Sequence, residues 1–226
     1  MELSIEIAGY IQNKNQQRLE QAINNHPELA EVRTSQGITL LTLAAYCRNQ
    51  QAVNLILARK TRLDLYEAAA VGDIDIVRRH LSGDPMLINS SSVDGFSPLS
   101  LACYFGHEEL AKFLIQNGAD INLSSRNIFG SSPLHSACAI GNLNIAQWLL
   151  RRGADVNLCQ RSGATALHIA ARNGYLGLIK TLVEAGANVK ARTEHNQTPA
   201  QIAEEKGFSE IISYFRMLKN GRKLSA

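Results

Sequence analysis

Apolar residues recur along this chain in short helical bursts separated by polar, glycine-containing breaks. The stretch Gly130 to Asn157, GSSPLHSACAIGNLNIAQWLLRRGADVN, shows the pattern whole. Ser132 and Pro133 begin one burst, Gly141 divides it from a second, and Gly153 ends the second before an extended Ala154 to Asn157. A hydroxyl followed by proline marks a helix start, because the hydroxyl accepts from free backbone amides and proline at the first helical position gives up no hydrogen bond. Glycine after each burst suits the left-handed residue that closes a short helix. Small Ala137 in the first burst, against Ile145, Trp148, Leu149 and Leu150 in the second, predicts a thin helix turning into a broad-faced one.

The unit repeats. Turn glycines fall at Gly72, Gly106, Gly141, Gly174 and Gly207, in steps of 34, 35, 33 and 33. A fixed period of roughly 33 with two short helices per unit predicts a stacked all-α solenoid. Upstream the register loosens. Gly37 to Lys60 keeps Thr39, Leu41, Ala44 and Ala45 but has Arg48 at the turn, and Arg48 lies only 24 residues before Gly72. The extended connection between those two units is therefore too short to form, which predicts an interruption in any row of connecting loops. Residues 1–34 hold two apolar-periodic segments, Leu3 to Ile11 and Arg18 to Ile23, read as a divergent first helix pair.

Four segments, SPLSLACYFGH (97–107), SPLHSACAIGN (132–142), TALHIAARNGY (165–175) and TPAQIAEEKGF (198–208), followed by GADIN, GADVN and GANVK, resemble ankyrin repeats. The resemblance implies an all-α ankyrin-repeat solenoid of helix-turn-helix units with short β-hairpin-like fingers. It implies a single domain over 1–218: the divergent pair at 1–34, degenerate repeats at 37–60 and 63–91, and four clear repeats over 92–218 including a C-terminal cap. Residues 219–226 are a basic tail. The cap is read from Glu204, which stands where inner units have Cys138 or Ala171. One unit of about 33 residues does not bury enough apolar surface to offset the entropy of ordering it, so neighbours must share a core.

Composition sets limits on chemistry. With 23 Lys and Arg against 20 Asp and Glu, the net charge of +3 argues for no polyanionic partner by itself. No basic, apolar leader begins the chain and no stretch approaches the roughly 20 apolar residues of a membrane span, so a cytoplasmic, membrane-free protein is expected. Cys47, Cys103, Cys138 and Cys159 have no metal-site spacing, and no metal or cofactor is expected. His107, His135 and His168 occupy histidine positions of the ankyrin pattern, where the resemblance implies hydrogen bonds between units rather than catalysis. No phosphate loop, GxSxG or HExxH motif occurs, and no enzyme activity is expected. Trp148 reads as core.

Function is then sought at positions the repeat leaves free: the tips, and the two residues before each turn glycine. Phe96, Tyr104, Phe105, Ile128, Phe129 and Ile140 form an aromatic and aliphatic set, flanked by Arg161, Arg172, Asn173 and Arg192. Aromatic anchors with adjacent arginine are the composition of a protein-binding hot spot. The step from Gly106 to Gly141 is the longest, and its extra length falls in Asn122 to Phe129. The expectation is a monomeric, non-enzymatic interaction module binding a partner protein on its concave face, chiefly through the C-terminal four units. The alternative is a nucleic-acid-binding or scaffold protein using Arg161, Arg172, Arg192, Arg216, Lys219, Arg222 and Lys223.

Overall fold

Capping chemistry places the helix starts where the sequence puts them. In the computed structural model, which describes residues 2–220, Ser132 accepts the amide of His135 with Pro133 opening the helix, and Ser97 with Pro98 does the same. Asp64 and Glu67, and again Thr198 and Gln201, form reciprocal capping boxes. The turn glycine Gly141 is required twice. Its φ is +79°, and a Cβ there would lie 2.8 Å from the Tyr175 ring of the next unit. Gly174 stands in the same relation to Phe208, at 2.9 Å.

The resulting helices come in pairs: α1 (Glu2–Gln12) with α2 (Gln16–Asn25), α3 (Leu40–Tyr46) with α4 (Gln50–Leu57), α5 (Leu65–Val71) with α6 (Ile74–Gly83), and α7 (Pro98–Phe105) with α8 (Glu108–Gln116). There follow α9 (Pro133–Ile140) with α10 (Leu143–Arg151), α11 (Ala166–Asn173) with α12 (Leu176–Glu184), and α13 (Pro199–Glu205) with α14 (Ser209–Lys219). The two N-terminal apolar-periodic segments lie in α1 and α2, which pack on each other. The chain forms two compact units, Met1–Ala119 and Asp120–Ala226. Within the first, α1, α3, α5 and α7 stack in order, and α2 lies on α4. Within the second, α9, α11 and α13 stack, with α10 on α12. Ile7, Ile11, Leu19, Ile23, Leu41 and Ile56 fill the first core, and Leu134, Leu149, Leu167, Ile179 and Leu182 the second.

The connections are fingers closed by backbone hydrogen bonds. The amides of Thr34, Ser92, Ser125, Gln160 and Thr193 donate to the carbonyls of Ile38, Phe96, Ser131, Ala164 and Gln197. They are too short for strands; among the described residues the bridges are isolated pairs, Arg33 with Thr39 and Cys159 with Thr165.

Between α4 and α5 no finger forms, as the short connection requires. Lys60 takes up the space, its side chain 4% exposed, with Nζ 2.7 Å from Glu31 and 3.0 Å from the buried Glu67. The expected interruption does not follow, however. A Cβ on Gly37 would lie 3.0 Å from Val93, so fingers 34–38 and 92–96 meet across the gap. The omitted finger lets its neighbours close up, and beneath them remains a cavity of about 30 Å³ lined by both charged and apolar residues, among them Arg33, Asp64, Asp94, Ile38 and Leu101.

At the C-terminal end, Glu204, Glu205 and Lys206 are exposed, where Cys138 and Ala171 are wholly buried. A Cβ on Gly207 would meet nothing within 4 Å. The asparagine series agrees: Asn122 Oδ1 accepts the Asp155 amide and Asn157 Oδ1 the Asn188 amide, each at 2.8 Å, whereas the matching residue of the next unit is the exposed Lys190. Trp148 departs from its expected place in the core. It is half-buried, with the Arg152 guanidinium 5.1 Å from its ring, because Ile145 and Leu149 already fill the inner face of α10.

Candidate partner-binding face

The fingers and the C-terminal ends of the first helices share one side of each unit. In the first unit the Tyr46 hydroxyl, at the end of α3, donates to Asp94 in finger 92–96 at 2.5 Å. In the second, Gln197 at the base of its finger donates to Glu205 at the end of α13, at 2.6 Å.

On the first unit this side carries three rings in mutual contact: Tyr46 to Tyr104 at 5.6 Å, Tyr46 to Phe105 at 5.1 Å, and Tyr104 to Phe105 at 5.2 Å. Tyr46 was not identifiable as a member from its own position, since it meets the rings of α7 although α5 stacks between α3 and α7. Burial, reinforced by the Asp94 carboxylate, drives its hydroxyl pKa well above the ordinary value. Phe96 joins none of these ring pairs. It is half-buried at the base of its finger, where its amide donates to Ser92 Oγ.

On the second unit the tips are laced together. The Arg161 amide donates to Phe129 O at 3.0 Å and the Glu194 amide to Ser162 O at 2.9 Å. Finger 125–131 spans two residues more than its neighbours and is well ordered: Asn127 Oδ1 accepts the amides of Phe129 and Gly130, and Ser125 Oγ accepts the Ser131 amide at 2.7 Å. This scaffold holds Ile128 80% and Phe129 57% exposed at its tip. Ile140 is half-buried, and Arg161, Arg172, Asn173 and Arg192 are exposed. Two of these already have internal work. Asn173 donates to Ala139 O at 3.3 Å, tying α11 back to α9, and Arg192 donates to Asn196 O at 2.7 Å, closing its own finger.

Two of the three candidate histidines bond to a carbonyl of an adjoining repeat. The Thr165 amide donates to His168 Nδ1, which puts the ring proton on Nε2, 3.1 Å from Gln197 O of the next finger. His107 Nε2 lies 2.8 Å from Ala70 O in the preceding unit. His135, 2% exposed, accepts the Ser132 amide at Nδ1, and burial holds its pKa down to about 4. Its Nε2 is buried without a hydrogen-bond partner, so the bond between units expected of His135 is not made; its ring closes its own helix start instead. Cys103 and Cys138 are free and buried; desolvation raises both thiol pKa values, that of Cys138 to about 12. Cys159 is exposed at its finger. Among the described residues no group of three or more His, Cys, Asp or Glu side chains is placed to hold a metal ion, and no helix is long and apolar enough to cross a membrane.

Of the cationic set, Arg216 lies 3.9 Å from Glu204 and Lys219 is exposed, while Arg222 and Lys223 fall outside the described residues, as does most of the basic tail.

A model of ankyrin repeats in three copies matches residues 65–160 and 142–224. The human DNA-binding protein RFXANK is 33% identical over 101 residues, covering 43% of this chain and 38% of that protein. An ankyrin repeat-containing protein of Schizosaccharomyces pombe, P1E11.10, is 33% identical over 63 residues, 28% of this chain and 30% of its own length. The mouse serine/threonine-protein kinase TNNI3K is 45% identical over 51 residues, only 6% of that protein. The chain spans well under half the length of the curated relatives it matches.

Proposed function

Since the chain belongs to the ankyrin-repeat family, we propose that it is a non-enzymatic binding module that holds a partner protein on the side carrying its finger tips. Ankyrin repeats are in general protein-interaction modules. The finer reading rests on one observation: finger 125–131 uses three hydrogen bonds to Asn127 and Ser125 to hold two large apolar side chains out in solvent. A loop ordered at that expense of conformational entropy, with Ile128 and Phe129 contributing little to the core, is organised for contact. Ile140, Arg161 and Arg172 on the second unit supply further contact surface of hot-spot composition, and Tyr104 and Phe105 offer a surface of their own on the first.

The test is partner capture from a lysate by the full chain and by Ile128→Ser with Phe129→Ala. Both residues are exposed, so melting temperature should stay within a degree or two while partner recovery falls by about tenfold or more. Unchanged recovery of every specific partner would remove the long finger from the binding surface. Nucleic-acid binding is the second reading, favoured by the exposed Arg161 and Arg172. It requires retention on DNA or RNA at low salt that falls steeply as salt is raised.

A further inference from the structure

Charge is divided unevenly between the two units. Residues 2–119 carry ten Lys and Arg against thirteen Asp and Glu, while residues 120–220 carry eleven against seven. On the finger side of the second unit the excess is local. Arg126, Arg161, Arg172 and Arg192 are exposed there. Glu194 shares the tips, and Glu205 is engaged by Gln197.

Apolar and cationic groups are also ordered along the row. Ile128 and Phe129 stand at the first finger, with Ile140 at the end of the adjoining α9. Arg161 stands at the next finger, and Arg172 near the end of the next helix. The Arg161 amide bonded to Phe129 O fixes the two fingers side by side, and the Arg161 stem packs close enough that a Cβ on Gly130 would lie 3.0 Å from its Cγ. The arginine stem therefore runs over the finger that carries the apolar tip. Arginine presents paired donors that match a carboxylate, so an arginine held beside an apolar tip reads two features of a ligand at once.

We propose that the second unit binds an extended peptide segment carrying an aromatic or large aliphatic anchor and, about three residues away, one or more carboxylates. This rests on the reading of the finger side as the binding surface. The spacing follows from geometry: stacked helices lie roughly 8–10 Å apart, and an extended chain advances about 3.3 Å per residue. The anchor covers Phe129 and Ile140, and the carboxylates meet Arg161 and Arg172. Glu194, standing among the tips, favours a peptide of mixed character over a uniform run of phosphates.

The test uses the full chain and two fluorescein-labelled peptides, one containing Phe-Ser-Ser-Glu-Glu and its twin Phe-Ser-Ser-Gln-Gln, in fluorescence polarisation. The acidic peptide should bind at least about tenfold more tightly than the twin, the scale expected for a charge-assisted hydrogen bond. Arg172→Glu and Phe129→Ala should each weaken it by a similar factor, while Lys180→Glu, an equal charge change at an exposed position on α12, should leave it unchanged. Equal affinity for the twins, or equal loss with Lys180→Glu, overturns the proposal. So does a single-stranded oligonucleotide that binds more tightly than the peptide and displaces it. Selection from a random peptide display separates the two levels of the reading. Ligands that depend on Phe129 but carry no acid would leave the module standing and sink the acidic ligand. Retention of no peptide at all would remove both.

Discussion

At the scale of single residues, the repeat converts side chains usually associated with chemistry into fasteners. His107 and His168 are such cases, whereas His135 closes its own helix start and has its protonation state set by burial. Its ordinary pKa of 6.5 is lowered to about 4 in the folded chain, so below pH 6.5 the unfolded chain takes up a proton that the folded chain refuses. Its contribution is complete above about pH 6.5, declines as pH falls towards 4, and is constant below that. At about pH 5 the loss from this one residue is ~2 kcal/mol relative to neutrality. The pKa of His168 is lowered for the same first reason, desolvation, and acts in the same direction. Urea denaturation at pH 7 and pH 5 measures the effect, with His135→Gln as the comparison. The variant should be less stable at pH 7 but lose clearly less than the wild type on acidification. Parallel losses in the two proteins would mean that His135 is not held neutral.

At the scale of elements, the telling feature is the connection between α4 and α5, where chain that would make a finger is absent. Lys60 and Glu67, both almost wholly buried, with Glu31 at the edge, replace it by an ion network. Lys60→Met removes the cation and leaves Glu67 charged in a site 3% exposed, which should cost about 3–5 kcal/mol. Adding Glu67→Gln, which retains an acceptor for the Asp64 amide, should recover a large part of that. A single variant within half a kcal/mol of wild type would show the network to be solvated. Helix starts and turns were legible in the sequence because hydroxyl caps, prolines and glycines act on backbone within a few residues. The ring cluster was only partly legible. Tyr104 and Phe105 stand at positions the repeat leaves free, but Tyr46 meets them across α5, a relation between elements far apart in sequence. Asn173 and Arg192 look free by position, yet their hydrogen bonds to Ala139 and Asn196 depend on where the folded backbone presents a carbonyl.

At the scale of the molecule, the helix pairs of the second unit pack chiefly on the pairs before and after them, so its stability is close to a sum of local terms and nearest-neighbour interfaces. A lesion at one junction should then be felt most strongly by the adjoining pairs. Gly141 offers the test, because it lies at the α9–α11 junction beside α10, which holds the only tryptophan, Trp148. Gly141→Ala places a Cβ at a φ of +79° and 2.8 Å from the Tyr175 ring, a combined strain of about 2 kcal/mol or more. In urea titrations of this variant, Trp148 fluorescence should change at lower denaturant than the far-UV circular dichroism of the whole chain. In the wild type the two midpoints should lie closer together. If both signals shift by the same amount and stay coincident, the repeats unfold as one cooperative body, and the neighbour interfaces dominate over the stability of any single pair.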